Sequence, residues 1–418
     1  MRPVLTVWLG WTCLMAGANL ATPLYAVYAQ QFRFSSLVLT AIFATYAVVL
    51  VPSLVVFGRL SDRFGRRLVL LLGLAAALGG LALFAAAQSA PWLFAARALQ
   101  GLAVGMTSGA ATAALVALDP HGDRRRAALF AGLAQAGGSA LGPIAAGVLA
   151  QWAPAPTRLC YLVALGATCV AAAFVLRLPE PQDAEGEPWR VQWPRVPREA
   201  RGPFARVALT AGVVWATLAL FLSIVPSYAG GILQTKNLAL LAAIAAIALV
   251  ASSGTHLAAR RLVGAGNRAQ ALGLVLLAAG LAGLVAASPL ASLALLAAGA
   301  AAAGAGHGLA FLNAQQELNE LAPDERRGEV TSAFIACIYA IVAGSVIATG
   351  VLDRWFSLSL SVGIVAVVLI VLAAAAAVWQ ARARCSCSTG SRRSTRSAAA
   401  PARTGRGTAR RRTARTSS

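Results

Sequence analysis

Two polar side chains lie close together inside a long apolar stretch of the sequence. Arg97 and Gln100 fall in the stretch 91–118, three residues apart, so a helix places them on one face. A guanidinium is costly to bury in hydrocarbon, and Arg97 therefore needs a water-filled cavity or a polar partner. The alternative is that it extends to the headgroups, since it lies about six residues, roughly 9 Å, from the start of the stretch. We predict that both residues line a polar cavity.

Four further polar side chains stand in apolar stretches and are candidates for the same cavity. His307 lies near the middle of the stretch 290–316, and imidazole titrates near neutral pH, which suits a proton relay. A lone histidine is also common as a hydrogen-bonded packing residue, so that interpretation stays open. Asn313 follows on the same stretch, and Asn19 and Tyr25 offer an amide and a hydroxyl in the first stretch.

Carboxylates are missing from the middle of these stretches. The fourteen acidic residues fall in predicted loops or near the ends of stretches. A cavity with Arg97 and no carboxylate should disfavour lipophilic cations and accept neutral or anionic solutes. The sequence also contains no cluster of metal ligands, no nucleophile with a base at useful spacing and no phosphate-binding loop. We therefore expect no enzyme activity, no cofactor and no metal.

The elements that position these residues are membrane-spanning helices. The chain has 418 residues, of which 59% are hydrophobic and 12% charged. At about 20 apolar residues for each crossing, this length predicts an all-α integral membrane protein of about twelve helices. The apolar stretches fall at about 4–27, 36–57, 68–88, 91–118, 127–150, 158–178, 204–230, 237–258, 270–288, 290–316, 329–351 and 356–380.

The basic residues predict the orientation of the chain. When the loops are counted alternately, thirty arginines fall on one side and four arginines or lysines on the other. Short loops rich in arginine stay in the cytoplasm, so both termini are predicted to be cytoplasmic and the protein to lie in the inner membrane. The net charge of +21 includes eleven arginines from residue 382 onward, so it does not indicate nucleic-acid binding by the apolar core.

The chain divides into two halves of six helices. We predict bundles at 1–178 and 204–381, joined by a cytoplasmic linker at 179–203, and a disordered basic tail at 382–418. The halves repeat each other, since the acidic and basic run Asp123–Arg126 precedes the fifth stretch and Asp324–Arg327 precedes the eleventh. Such repeats indicate a pathway between the halves. The tail could contact anionic lipid, and its composition also resembles out-of-frame translation of a GC-rich gene.

Ten residues after the second stretch resemble the cytoplasmic signature of the major facilitator superfamily. They read Gly58-Arg59-Leu60-Ser61-Asp62-Arg63-Phe64-Gly65-Arg66-Arg67. In this resemblance the glycines permit a tight turn, Asp62 accepts hydrogen bonds from a helix N-terminus, and the arginines form charge pairs that break when the halves move. Asp119 is a candidate partner for Arg66 or Arg67, although a solvated helix end explains it equally well. We call these ten residues the loop latch.

Two further stretches are similar to patterns of the same superfamily. The residues around Arg97 and Gln100 resemble its fourth helix. Gly138, Gly142, Pro143 and Gly147 resemble the signature of the fifth helix in its antiporters, with Ala146 at one position where a glycine is expected. Small residues let helices approach closely, and the proline weakens the helix at a bend.

The resemblance implies a secondary transporter that works by alternating access. We expect it to export a small neutral or anionic amphipathic compound by proton antiport, as a monomer, with the bilayer, the solute and protons as its partners. Uptake or facilitated exchange of a metabolite remains an alternative within transport. A membrane receptor or sensor that has kept the fold but lost transport is an alternative of a different class.

Overall fold

The computed structural model describes residues 3–57, 60–121, 123–179, 193–223, 228, 230, 234–235, 237–262, 266–323 and 326–397. Within these residues the regular elements are all helices. The α-helices are α1 (Pro3–Asn19), α2 (Tyr25–Phe32), α3 (Ser36–Phe57), α4 (Leu60–Phe64), α5 (Arg66–Ala85), α6 (Ala90–Ala117), α7 (Arg124–Trp152), α8 (Leu159–Val175), α9 (Arg201–Ser223), α10 (Leu238–Leu262), α11 (Gly266–Ala287), α12 (Leu293–Leu321), α13 (Arg327–Leu352) and α14 (Leu358–Ser397).

The predicted all-helical membrane fold is confirmed. In the described part, eleven helical segments are long and apolar enough to cross a membrane, the first of them comprising α1 and α2. The 17-residue apolar helix α8 supplies a twelfth crossing, about 25 Å long, slightly less than the roughly 30 Å of hydrocarbon. Helices suit this setting because they satisfy their own backbone hydrogen bonds where no water is present.

The first crossing is broken, which the sequence prediction of one stretch at 4–27 did not anticipate. α1 ends at Asn19, a 3-10 turn covers Thr22–Leu24, and α2 begins at Tyr25. Pro23 explains the break, because it has no N–H and its ring clashes with the carbonyl group four residues earlier. The carbonyl groups in the last turn of α1 therefore need donors from elsewhere.

The predicted disorder from Arg382 onward is wrong for residues 382–397. α14 leaves the apolar stretch and continues as helix to Ser397. A helix that is already formed extends at little cost, which favours the continuation although this segment is rich in serine and contains Gly390. Residues 398–418 lie outside the described residues.

Packing in the interior follows the two halves. The largest hydrophobic core cluster joins residues between Phe204 and Ala376, with Ala140 as its one member from the first half. Two other clusters contain only core residues from Val4 to Leu178. Of the predicted linker, 180–192 lie outside the described residues, and α9 begins at Arg201.

Among the described residues, two pairs of α-helices make the main contacts between the halves, α3 with α13 and α7 with α10. The helix α10 also contacts the 3-10 turn at Thr22–Leu24. In the first pair Gly350 lies directly against Thr40. In the second, a Cβ atom on Gly147 would lie 2.8 Å from the carbonyl oxygen of Leu238. The N–H of Leu238 also donates to Oε1 of Gln151 at 2.8 Å. All these contacts lie at the helix ends that the charge pattern predicts to be external.

Candidate functional site

The most deeply buried charge belongs to Arg97, which α6 brings to the end of α1. Only 3% of Arg97 is exposed. Its Nη1 donates to the carbonyl oxygen of Ala18 and to Oε1 of Gln100, both at 2.9 Å. Its Nη2 donates to the carbonyl oxygen of Phe43 at 3.5 Å. The alternative that Arg97 extends to the headgroups is therefore wrong, because its guanidinium is enclosed by protein.

Arg97 and Gln100 together cap the carboxyl end of α1. Nε2 of Gln100 donates to the carbonyl oxygen of Gly17 at 2.9 Å, next to the carbonyl of Ala18 that Arg97 binds. The break at Thr22–Leu24 leaves these carbonyl groups without helical donors, and a helix carboxyl end carries partial negative charge that attracts a cation. The predicted pair is thus on one helix face, as expected, but it faces a helix end.

Asn19 and Tyr25 lie on either side of the same break. Nδ2 of Asn19 donates to the carbonyl oxygen of Met15 at 2.9 Å and to Oγ of Ser139 in α7 at 3.3 Å. Tyr25 is buried, and its ring meets Phe43 edge-on at a centroid distance of 6.4 Å. Its hydroxyl has no hydrogen-bond partner among the described residues. Four of the predicted cavity residues therefore surround the end of α1.

Three aromatic rings complete this cluster. The guanidinium carbon of Arg97 lies 4.6 Å from the ring centroid of Tyr46 and 5.2 Å from that of Phe43. Tyr46 meets Tyr339 of α13 edge-on at 6.3 Å, across the contact between the halves. Aromatic faces attract cations, so the rings help to stabilise the buried charge. The sequence analysis missed all three, because aromatic residues in an apolar stretch carry no signal that separates ring stacking from lipid contact.

The glycines of α7 make two close helix contacts. A Cβ on Gly138 would lie 2.6 Å from the carbonyl oxygen of Thr12, and Gly142 lies directly against the carbonyl oxygen of Ala16, both in α1. Gly147 faces α10 in the other half. Pro143 is buried inside α7. Close approach, the physical reason given for these small residues, is therefore observed, and their link to antiport stays a prediction.

His307 belongs to a different cluster, within the second half. Its Nδ1 lies 2.8 Å from Oγ of Ser252 in α10, and its ring meets Trp215 of α9 edge-on at 4.9 Å and stacks with Phe311 at 5.6 Å. Only 3% of His307 is exposed. Nδ2 of Asn313 donates to the carbonyl group four residues earlier in its own helix, at 2.7 Å. These contacts are compatible with a packing role for His307 and equally with a role as a proton relay, so both interpretations stay open.

The loop latch is only partly described. Gly58 and Arg59 lie outside the described residues, as does the side chain of Asp62. The backbone at Asp62 belongs to the short helix α4. Gly65 has φ of 86°, a left-handed conformation that glycine adopts without strain, so the predicted tight turn is present immediately before α5.

The arginines of the latch lie on both sides of that turn. The guanidinium of Arg63 lies 5.3 Å from the ring centroid of Phe64. Arg66 and Arg67 begin α5 and line a small cavity together with Leu178. Nη1 of Arg67 donates to the carbonyl oxygen of Leu178 at 3.5 Å.

The predicted pairing of Asp119 with Arg66 or Arg67 is wrong. Oδ1 of Asp119 accepts the N–H of His121 at 2.9 Å and that of Asp123 at 3.3 Å, and Oδ2 lies 3.7 Å from Nε of Arg126. The turn after α6 folds back on the carboxylate and supplies its own donors, so Asp119 bonds within its own turn. These hydrogen bonds, first that of His121, and the charge of Arg126 lower the pKa of Asp119 despite its burial.

A buried polar network that the sequence analysis did not anticipate joins four helices of the second half. Arg206 of α9 forms an ion pair with Oε1 of Glu317 in α12. Nε2 of Gln380 in α14 donates to Oε2 of Glu317 at 3.2 Å and to Oε1 of Gln270 in α11 at 2.8 Å. From the sequence alone, Glu317 is expected at the membrane interface. The sequence offers one signal for this network, because Gln270 and Gln380 each stand in an apolar stretch.

Comparison with known proteins decides the family. A sequence model described as the Major Facilitator Superfamily matches residues 7–343. The chain belongs to the major facilitator superfamily. Its fold agrees with solved members: it is similar to a mutant of the nucleoside transporter NupG with a TM-score of 0.70 and 14% identity, over 90% of this chain and 99% of that one. The human organic anion transporter MFSD10 (TETRAN) gives 0.66 and 16%, over 91% and 99%.

Two proteins of known function are more similar in sequence over shorter stretches. The methylenomycin A resistance protein of Bacillus subtilis is 34% identical over 131 residues, which is 31% of this chain and 28% of that protein. The multidrug efflux pump LfrA of Mycolicibacterium smegmatis is 40% identical over 125 residues, or 29% and 25%. The matches thus cover about a quarter of each relative. The chain is therefore a multi-pass membrane protein of this superfamily.

Proposed function

We propose that this transporter exports a small neutral or anionic amphipathic compound in exchange for protons, by alternating access between its two halves. Two relatives carry names that denote resistance and efflux, which supports export. The glycine and proline pattern of α7, with Gly138, Gly142 and Pro143, supports antiport through its resemblance to antiporters of the superfamily. The arginine-rich loops support a cytoplasmic location of both termini. In this orientation, export means movement of the solute from the cytoplasmic side to the outside.

The observation that carries the solute class is the environment of Arg97. Its positive charge is only 3% exposed and is balanced by carbonyl groups and aromatic rings, and no ion pair joins it to a carboxylate among the described residues. A cation entering this region would meet a like charge that no carboxylate neutralises, in a medium of low dielectric constant, which is unfavourable. Neutral and anionic solutes avoid that cost. The organic anion transporter among the structural neighbours is consistent with this class.

The contacts between the halves support alternating access. Gly350 with Thr40 and Gly147 with Leu238 close the ends that are predicted to be external. Closure at the external ends is one of the two end states that alternating access requires.

A transport assay with purified protein tests this proposal. Liposomes that contain the protein and a pH-sensitive dye are given an imposed proton gradient, and neutral, anionic and cationic amphipathic solutes are added in turn. We expect proton flux that depends on a neutral or anionic solute and is lost in Arg97→Ala. Equal flux with a permanent cation such as ethidium, undiminished when Asn19 and His307 are altered, would contradict the solute class. No solute-dependent proton flux would contradict antiport.

Facilitated exchange is the second candidate, and one observation favours it. Among the described residues, none of the predicted cavity positions carries a carboxylate, the group that most simply exchanges a proton for a solute. The same liposomes separate the two functions. Solute flux down its own gradient, with no proton movement, would identify exchange, whereas antiport requires both fluxes together.

A further inference from the structure

Arg97 connects the break in the first crossing to the contact between the halves. On one side its Nη1 donates to the carbonyl oxygen of Ala18, at the end of α1. On the other side its guanidinium lies on the ring of Tyr46, 4.6 Å from the centroid. Tyr46 in turn contacts Tyr339 of the second half at 6.3 Å. Four groups therefore form a continuous chain of contacts from α1 through α6 and α3 to α13.

The ring of Tyr46 adds to the hydrogen bonds and to the ring of Phe43 in stabilising Arg97. Its Nε has no hydrogen-bond partner among the described residues, and its bond to the carbonyl of Phe43 is long, at 3.5 Å. A buried cation that has no carboxylate partner is stabilised only by dipoles and aromatic faces. A ring attracts the guanidinium only when the guanidinium lies over its face. A rotation of the Tyr46 ring would therefore weaken the hold on Arg97 and on the end of α1.

The orientation of the Tyr46 ring is fixed from the second half. Tyr339 meets it edge-on, with 64° between the ring planes, and Tyr339 also packs against the hydrophobic cores of both halves. The α3 and α13 helices that carry the two tyrosines are one of the two pairs that join the halves. When these helices separate, Tyr46 loses the ring that restrains it, while Arg97 and α1 stay in the first half.

We propose that Tyr46 and Tyr339 are positioning residues that hold Arg97 on the carboxyl end of α1 while the halves touch at this level. Opening the contact releases Tyr46, weakens the cap, and frees the α1 break, where Asn19 bonds to Ser139 of α7. The geometry of the first crossing thereby depends on whether the halves are closed. This inference rests on the proposed movement of the halves and names no solute.

The test measures how often the contact between the halves opens, without solute or proton gradient. All six cysteines are replaced by alanine, Thr40→Cys is added, and the purified protein in detergent is labelled with a maleimide. Thr40 is 2% exposed beside Gly350, so labelling requires opening. We expect Tyr339→Leu to raise the labelling rate about two- to tenfold, the range of an aromatic pair. Tyr339→Phe keeps the ring and removes only the hydroxyl that bonds to Tyr46, so it should raise the rate by less.

A double-mutant cycle then tests the link to Arg97. Arg97→Gln should also raise the rate, and the combination with Tyr339→Leu should raise it no further than the larger single change, because both act through Tyr46. Tyr161→Leu is the matched control, since Tyr161 is a buried ring of the first half that stacks on Phe84 at 5.0 Å, outside this chain of contacts. The labelling rate of Tyr161→Leu combined with Arg97→Gln should change by the product of the two single fold-changes.

Two results would overturn the proposal. Rates that multiply for Arg97→Gln with Tyr339→Leu would show that the residues act independently. A Tyr339→Phe variant that labels as fast as Tyr339→Leu would show that the ring contact is not what restrains Tyr46. Because the assay contains no solute, failure of the transport experiment leaves this result intact, and the reverse also holds.

Discussion

The buried arginine and the buried aspartate of this chain illustrate two ways to hold a charge away from water. Arg97 is held by carbonyl groups at a helix end and by two rings, all contributed by other helices. Asp119 is held by N–H groups of the turn that follows it. The first arrangement depends on how helices pack, and the second is local. Changes in the contact between the halves should therefore reach Arg97 and leave Asp119 unaffected.

The pH dependence of stability should carry a contribution from Asp119. Its pKa in the folded protein is lowered, first by the N–H of His121 and further by the N–H of Asp123 and the charge of Arg126. A lowered pKa stabilises the fold above the ordinary carboxyl value, about 3.9, and this contribution disappears as the pH falls through the folded value. We expect Asp119→Asn to melt at a lower temperature than the wild type at about pH 7, with the difference shrinking as the pH falls below about 3.9.

Thermal unfolding in detergent between about pH 3 and pH 7 measures this difference. Asp353→Asn is a suitable control, because Asp353 is a carboxylate at the opposite end of the helices for which the structure shows no such turn. If the melting temperatures of Asp119→Asn and the wild type differ by the same amount at all pH values, the loss of stability comes from geometry and not from charge.

At this scale the sequence predicted part of the site. The spacing of Arg97 and Gln100 predicts one helix face, and the structure shows a hydrogen bond between them. Their place in a solute cavity stays a prediction. Tyr46 and Tyr339 could not be found, because their contact depends on the rotation of α3 against α13. Asp119 was assigned to the wrong arginines, since two charges near one membrane surface are compatible with several pairings until the turn between them is known.

The helices themselves were more predictable than their ends and interruptions. A hydrocarbon solvent allows few alternatives to a continuous helix, so apolar stretches and helices agree closely. Pro23 was visible in the sequence, but whether a proline bends or breaks a helix depends on the donors that neighbours offer. Here Arg97 and Gln100 supply those donors, and the break at Thr22–Leu24 is the result.

The polar network that joins α9, α11, α12 and α14 should stabilise the second half as one unit. Glu317→Gln leaves Arg206 with an uncompensated charge in a partly buried site, which should cost about 1–3 kcal/mol. The double change Arg206→Gln with Glu317→Gln removes both charges and should recover part of the loss. Melting temperatures in detergent should therefore rank the double variant between Glu317→Gln and the wild type.

Glu320→Gln provides the matched control for this comparison, because Glu320 lies three residues farther along α12 and is exposed. Its melting temperature should equal that of the wild type. If the double variant melts below Glu317→Gln, the ion pair is not the interaction that matters, and the glutamines Gln270 and Gln380 would have to account for the stability.

The whole molecule consists of two halves whose contacts are concentrated in two helix pairs. The division was predictable from the spacing of apolar stretches and from the repeated acidic and basic runs. The pairing of α3 with α13 and of α7 with α10 was not, because any helix with small residues could have formed the boundary. The structure shows that glycines at matching depths, Gly147 and Gly350, are what let the halves close at one end.

A disulfide across this boundary should stop transport if the halves must separate there. In a cysteine-free background, Thr40→Cys with Gly350→Cys joins α3 to α13, where a Cβ on Gly350 would lie 3.0 Å from that of Thr40. The pair Gly73→Cys with Thr107→Cys joins α5 to α6 inside the first half, where the corresponding distance is 3.3 Å. Both pairs demand similar adjustment from the helices, so they differ mainly in whether the bond crosses between the halves.

After oxidation we expect solute flux in liposomes to fall to background for the first pair and to persist for the second. Reduction of the disulfide should restore the flux of the first pair. Flux that survives complete oxidation of the first pair would mean that these outer ends stay together during transport, and that the pathway opens elsewhere.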